Sequence, residues 1–281
     1  MSDFPEVIET ADIRLRPMAV SDLNGVVQQL GEPETARWMA AARQPFEHRD
    51  AEDILAIGQD PAHRLRIVEQ DGTMIGGLCL VPDLWFWLDR SARGHGIMSQ
   101  ALRTAITAHF ARPAPPLIAT CRDDNLPSQT LLSRLGFARR PAGRRMFFHV
   151  EGRALPCHDH VMTSGQWFQL HPPVLRHGRL TLRPAVQKDA ATLMAMLPRA
   201  GNAGDDDGVW PRPEALPLFI ELHRCRTPDR GLFVVEDQHT RVIAMVLRAA
   251  TGLPVEIRYL SPEEAACHTT ELEAMLARHL C

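Results

Sequence analysis

The segment Arg93-Gly94-His95-Gly96-Ile97-Met98 combines residue types that suit a backbone-built anion site. Glycines at 94 and 96 let the chain turn sharply and approach a bound group closely. From His95 to Phe110 apolar side chains recur at helical spacing (Ile97, Ala101, Leu102, Ala105, Ile106), so the loop leads into a helix that Pro113 would end. The first N–H groups of a helix lack intrahelical acceptors and sit at the positive end of its dipole. With the glycines they describe a pyrophosphate site. A Walker-type loop is excluded because no Gly-Lys-Ser/Thr follows to hold a γ-phosphate and its magnesium. A Rossmann loop fits poorly, since the third glycine is missing and the segment follows an antiparallel hairpin.

Two other groups of reactive residues carry less. Cys157-His158-Asp159-His160 is dense enough to consider for a metal, and as a strand it would place both imidazoles on one face. No second ligand cluster accompanies it, so no metal site is expected. The six cysteines are scattered without a Cys-x-x-Cys pair, which describes reduced, mostly buried thiols. Cys121 reads as one of these rather than as an acyl-accepting nucleophile.

The elements that would position the loop alternate between strand and helix. Ile13 to Pro17 reads as a strand, and Asp22 to Leu30 as a helix with Ser21 at its N-cap. Arg64 to Gln70 and Met74 to Val81 form a hairpin around Asp71-Gly72. Leu84 to Leu88 is apolar throughout, as in a central strand covered on both faces. After the loop and its helix come a strand (117–121), a helix (128–135) closed by Gly136, and two strands (146–150 and 158–162). The expected fold is α/β, a mixed, mostly antiparallel sheet flanked by helices.

At 281 residues the chain is long for one core and suggests about two domains. Its net charge of −3 gives no pull toward nucleic acid or an anionic membrane, and no apolar run is long enough to span a bilayer. Acidic residues stand at the N-terminus where a signal peptide would be basic, so a cytoplasmic protein is expected. Leu15-Arg16-Pro17 with Asp22 returns as Leu182-Arg183-Pro184 with Asp189, and Val68-Glu69 returns as Val235-Glu236, all at one offset of 167 residues. A shared offset across separate segments describes two copies of one unit. The expected boundaries are a first domain over 1–167, a linker over 168–178 around His171-Pro172-Pro173, and a truncated second copy over 179–281.

The run Leu84-Trp85-Phe86-Trp87-Leu88-Asp89, then Arg93-Gly94-His95-Gly96 and Gln100-Ala101-Leu102, resembles the central motif of the GNAT acetyltransferases, R-x-x-G-x-G/A. Arg93 and Gly96 match it, and Met98 departs from the usual Gly or Ala. Asn125-Leu126-Pro127-Ser128 followed by Leu132, Leu135, Gly136 and Phe137 is similar to the N-x-x-S…L-x-x-x-G-F signature of the RimJ/RimL branch. Trp38-Met39 with Pro45-Phe46 and Asp50-Ala51 adds to the likeness, which covers residues 10–167. The resemblance implies an N-acetyltransferase that uses acetyl-CoA as co-substrate. Trp87 or Leu88 would offer an N–H to the thioester carbonyl, Arg93, Gly94, His95, Gly96, Ile97 and Met98 would hold the pyrophosphate, and Asn125 would contact the pantetheine arm. Ser128 would serve the departing thiolate; a helix cap is its alternative role. The carboxylate that serves as base in that branch falls at Phe147 here. His149, two residues on and so on the same strand face, is the candidate base, with an ordinary pKa near 6.5.

The second copy departs from the pattern where binding would require it. After the strand Val255 to Tyr259 the glycines are replaced by Ser261-Pro262-Glu263-Glu264, a self-contained capping box whose glutamates would repel an anion. The sequence reaches Cys281 without a counterpart of the 125–137 segment. The roles expected of this half are packing, shaping the acceptor cleft, or forming a homodimer. Acceptors left open are a small-molecule amine or a protein N-terminus, with no nucleic acid or membrane partner. The rival reading is a non-catalytic sensor of acyl-CoA.

Overall fold

The structure is a computed structural model that describes residues 4–111, 114–197, 210–223, 231–248 and 255–279. It divides into two compact units, Met1–Thr163 and Ser164–Cys281. The first unit runs β1 (Ile8–Glu9), β2 (Arg14–Arg16), α1 (Leu23–Gly31), α2 (Pro33–Ala36), α3 (His48–Gln59), β3 (Leu65–Gln70), β4 (Thr73–Cys79) and β5 (Trp85–Leu88). It continues through α4 (Ile97–Phe110), β6 (Leu117–Arg122), α5 (Leu126–Leu135), β7 (Ala138–Phe148) and β8 (Arg153–Met162). Every strand pairing within it is antiparallel. Pro113, expected to end α4, lies outside the described residues.

Two sheets result: β1-β2-β3-β4-β5, and β6-β8-β7. The hairpin between β3 and β4 turns on Asp71 (φ 49°) and Gly72 (φ 73°). Positive φ at both central residues matches the twist of the flanking strands. On α1, Leu23, Val26 and Leu30 are buried at helical spacing against α3 and the first sheet. Burying each such side chain stabilises the fold by roughly 1.5–3 kcal/mol.

Several expectations need correction. β5 is not central but the edge of its sheet, because β6 pairs with β8 instead. Ser21 does not cap α1; it lies inside a 3-10 turn, and the Asp22 carboxylate accepts the Ala19 N–H at 2.8 Å. The Arg16 guanidinium holds that carboxylate through two hydrogen bonds of 2.8 Å and reaches Glu69 at 2.5 Å. Burial alone would raise the Asp22 pKa, but Arg16 and the Ala19 N–H hold it below the usual carboxylate range. α5 begins at Leu126 rather than at residue 128, because Asn125 is its cap. Cys79, Cys121 and Cys157 are buried, whereas Cys267 is exposed; Cys225 and Cys281 lie outside the described residues.

The second unit contains α6 (Ser164–Leu170), β9 (Leu175–His177), β10 (Leu180–Pro184), α7 (Ala190–Met194) and α8 (Leu216–Leu222). Then follow β11 (Gly231–Glu236), β12 (Val242–Arg248), β13 (Glu256–Tyr259) and α9 (Pro262–His279). The division falls before α6, and the expected linker over 168–178 holds the end of α6 and all of β9, because Trp167 and Phe168 are buried and β9 pairs with β10. The sheet order is β13-β12-β11-β10-β9. Leu182 pairs with Val235 as Leu15 pairs with Val68, and a bulge follows each valine. Arg183 binds the Asp189 carboxylate at 2.8 and 2.9 Å and Glu236 at 2.9 Å, the same set of partners that Arg16 has.

Candidate active site

β5 and β6 approach at one end, where the Leu84 N–H donates to the Ile118 carbonyl at 2.7 Å, and then part into separate sheets. Backbone groups alternate in direction along a strand, so the N–H groups of Phe86 and Leu88 share the direction of Leu84 and face the gap. Trp85 and Trp87 face β4, and the Asp89 N–H, also odd-numbered, bonds to Ile75 on that side at 2.8 Å. The Trp87 indole donates to Gln29 at 2.9 Å and is buried. A Cβ on Gly77 would lie 2.1 Å from its ring, so a glycine there is what lets the ring pack. Of the two residues expected to offer an N–H to the gap, Leu88 fits and Trp87 does not.

The loop from Asp89 to Gly96 follows. Its Arg93 guanidinium borders the cleft and is held by the protein itself. It bonds twice to the Leu88 carbonyl, at 3.1 and 3.0 Å, and to the Thr35 hydroxyl at 2.5 Å, bracing the end of β5. Gly94 (φ 82°) and Gly96 (φ 78°) adopt the left-handed conformation, and space for a Cβ is open at both. The Gln100 N–H is bonded to Gly96, so the N–H groups of Ile97, Met98 and Ser99 are those left without intrahelical acceptors. His95 is exposed.

At the start of α5 the Asn125 Oδ1 accepts the Ser128 N–H at 3.2 Å. Asn125 is therefore the cap, and Ser128 lies one turn inside the helix. That is why the helix begins at Leu126. Among the described residues the Ser128 hydroxyl has no hydrogen-bond partner. Gly136 (φ 89°) closes the helix, with the Phe137 N–H on Leu132 at 3.0 Å.

These pieces border one cleft of about 640 Å³. Leu88, Arg93, Gly94, Gly96, Ile97 and Met98 line it on one side, and Asn125 and Ser128 on another. Trp87 borders it as well, with its indole engaged as described. His95 and His149 are not part of the lining. The His149 ring is exposed and meets the Phe147 ring edge-on at 5.3 Å, and it is not among the residues that line the cleft with Ser128. Burial, and after it Cys157, push the Cys121 thiol up to about 12, which keeps it protonated and unreactive. Among the described residues no group of three or more His, Cys, Asp or Glu is placed to hold a metal ion.

Thr35, Trp38, Met39, Phe86 and Arg134 also line the cleft and were not expected there. Arg134 was within reach of the sequence, because it follows Ser128 and Leu131 at intervals of three on one helix face. Thr35 carries no such signal, and Trp38 entered only through the family likeness, since their placement depends on contacts between distant segments.

Residues 12–138 match the family model described as an acetyltransferase (GNAT) domain. The first unit carries a GNAT acetyltransferase domain. No curated protein matches the chain at a significant level. Among solved structures, a protein designated an acetyltransferase is 18% identical, covers 60% of this chain and 92% of its own, and superposes with a TM-score of 0.51, a likeness of fold. RimL, a ribosomal L7/L12 α-N-protein acetyltransferase in complex with coenzyme A, is 20% identical over 56% of this chain and 97% of its own, with a TM-score of 0.49. RimJ from Mycobacterium smegmatis is 19% identical over 57% and 84%, also with a TM-score of 0.49.

Proposed function

We propose that the first unit moves an acetyl group from acetyl-CoA to an amine by direct attack while both substrates are bound. The observation that carries this reading is the gap between β5 and β6. It opens onto one cleft shared by the left-handed glycine loop and an unpaired serine hydroxyl. The N–H groups of Ile97, Met98 and Ser99, with Gly94 and Gly96, would bind the pyrophosphate. The gap-facing N–H of Leu88 would donate to the thioester carbonyl, where negative charge develops during attack. Arg93 holds the Leu88 carbonyl in place. Asn125 caps α5 with its oxygen and leaves its amide nitrogen for the pantetheine arm. The Ser128 hydroxyl would donate to the sulfur as thiolate charge appears; with a pKa far above 7 it is a hydrogen-bond donor more than an acid. His149 has no part in this scheme.

Gly96→Asp tests the reading. It forces a side chain onto a backbone at φ 78° and adds a negative charge where the pyrophosphate would sit. The variant should keep its circular dichroism spectrum and lose the thermal stabilisation that acetyl-CoA gives the parent protein. Undiminished binding would remove the loop from the site.

We also read the second unit as a degenerate copy of the first, on the strength of its strand order and its Arg183–Asp189–Glu236 set.

A further inference from the structure

The cleft has an unusual set of ionisable neighbours. Its described lining contains no Asp, Glu, His, Cys, Lys or Tyr, and its charged side chains are Arg93 and Arg134. The titratable groups on the surrounding elements are placed elsewhere. Near α2, Glu32 accepts from the Thr35 hydroxyl at 3.4 Å, Glu34 is exposed, and Arg37 pairs with Glu151 at 3.3 Å. In the loop before α4, Asp89 accepts the Ser91 N–H at 2.9 Å and His95 is exposed. On β6 the Cys121 thiol is held protonated, and just beyond it Arg122 is gripped by Asp124 at 2.6 Å and by Glu151 at 3.1 Å. At the β7–β8 turn, Glu151 is committed to those two arginines and His149 lies against Phe147.

What the cleft offers in place of a base is an aromatic, apolar wall. Trp38, Met39 and Phe86 line it, and the guanidinium groups of Arg37 and Arg122 lie 4.9 and 4.6 Å from the Trp38 ring centroid. The two cations against the Trp38 ring are thus already paired with Glu151 and Asp124, and no carboxylate belongs to the described lining to receive an ammonium group.

We propose that the cleft takes acceptors whose amine is substantially neutral near pH 7 and whose adjoining group is apolar, and that no side chain of its described lining deprotonates them. This rests on the acetyl-transfer reading above. The proton balance is consistent with it. The nitrogen lone pair of a neutral amine forms the C–N bond, and the electrons of the C–S bond leave with sulfur. The proton that nitrogen then loses equals the one the thiolate gains, so water or the Ser128 hydroxyl can relay it with no net release. An ammonium acceptor brings one proton more, for which the described lining has no acceptor. An α-amino group (pKa about 7.7–8.0) is roughly one-tenth neutral at pH 7, whereas an alkylamine like that of lysine (pKa about 10.4) is neutral to less than about one part in a thousand.

Phenylalaninamide and phenethylamine share one aromatic body and differ in amine basicity by roughly two pK units, about the gap between an α-amino group and lysine. Thiol release by the full chain, with saturating acetyl-CoA, should be followed with each from about pH 6 to 10. At pH 7, kcat/KM should favour phenylalaninamide by about 10²-fold. Each profile should climb and level off at its own acceptor's pKa, and His149→Ala should move neither. Equal use of the two at pH 7, a break shared by both at one pH, or a break lost with His149→Ala overturns this inference and leaves acetyl transfer standing. Thiol release with neither acceptor, from protein that binds acetyl-CoA, overturns the inference and the acetyl-transfer reading together.

Discussion

At the start of α5, the Asn125 side chain takes the Ser128 N–H while the Ser128 hydroxyl is left facing the cleft. The two residues therefore answer to different measurements. Ser128→Ala should lower kcat on the order of 10²-fold, about 2.7 kcal/mol of transition-state stabilisation, with little change in acetyl-CoA affinity or melting temperature. Asn125→Ala should cost about 1 kcal/mol of stability through the lost cap. Paired melting and turnover measurements separate them, and a lowered melting point with intact turnover for Ser128→Ala would take the serine out of the chemistry. Asn125, Ser128, Gly94 and Gly96 were legible because each needs a particular residue type at a fixed distance from an element boundary. The bond of the Arg93 side chain to Thr35 was not, because it joins segments far apart in sequence.

The longest helix of the first unit, α4, carries a histidine near its far end. His109 is buried; Arg64 donates to its Nδ1, and its Nε2 donates to the Pro115 carbonyl at 3.0 Å. Burial in the first place, with Arg64 adding to it, pushes its pKa down to about 4, against the hydrogen bond to Pro115. In the unfolded chain the same imidazole takes up a proton near 6.5. The unfolded state therefore binds more protons between these values, and stability present above about pH 6.5 is lost as pH falls toward 4. Urea unfolding at about pH 7, 5.5 and 4.5 should show a smaller loss for His109→Gln than for the parent. Parallel losses would mean that the carboxylates alone set the acid response. The helices and hairpins of this unit were legible from periodicity and turn residues. The edge position of β5 was not, because an apolar run looks the same whether a second strand or an open cleft covers it.

Taken over the whole chain, two strand-loop-helix connections leave the starts of their helices in different states. Between β5 and α4 the loop from Asp89 to Gly96 leaves three N–H groups free at the helix start. Between β13 and α9 stand Leu260 and Ser261 alone. The Ser261 hydroxyl accepts the Glu264 N–H at 3.3 Å, and Glu263 and Glu264 put two carboxylates in the first turn, one of them bound to Arg241 at 2.6 Å. The shared offset of 167 residues marked in sequence the residues that the structure pairs in like register, Leu15 with Val68 and Leu182 with Val235. The shortness of the second connection came from four residues, because Pro262 fixes where the helix begins. Calorimetric titration of the full chain with acetyl-CoA should therefore give one site per chain. At about 100 times the dissociation constant that site should add roughly 2.7 kcal/mol of stability. Gly96→Asp should remove all of the binding heat, not half of it. Two sites in the parent, or one surviving in the variant, would place a second anion site in the other unit and undo the reading of its capping box as a block.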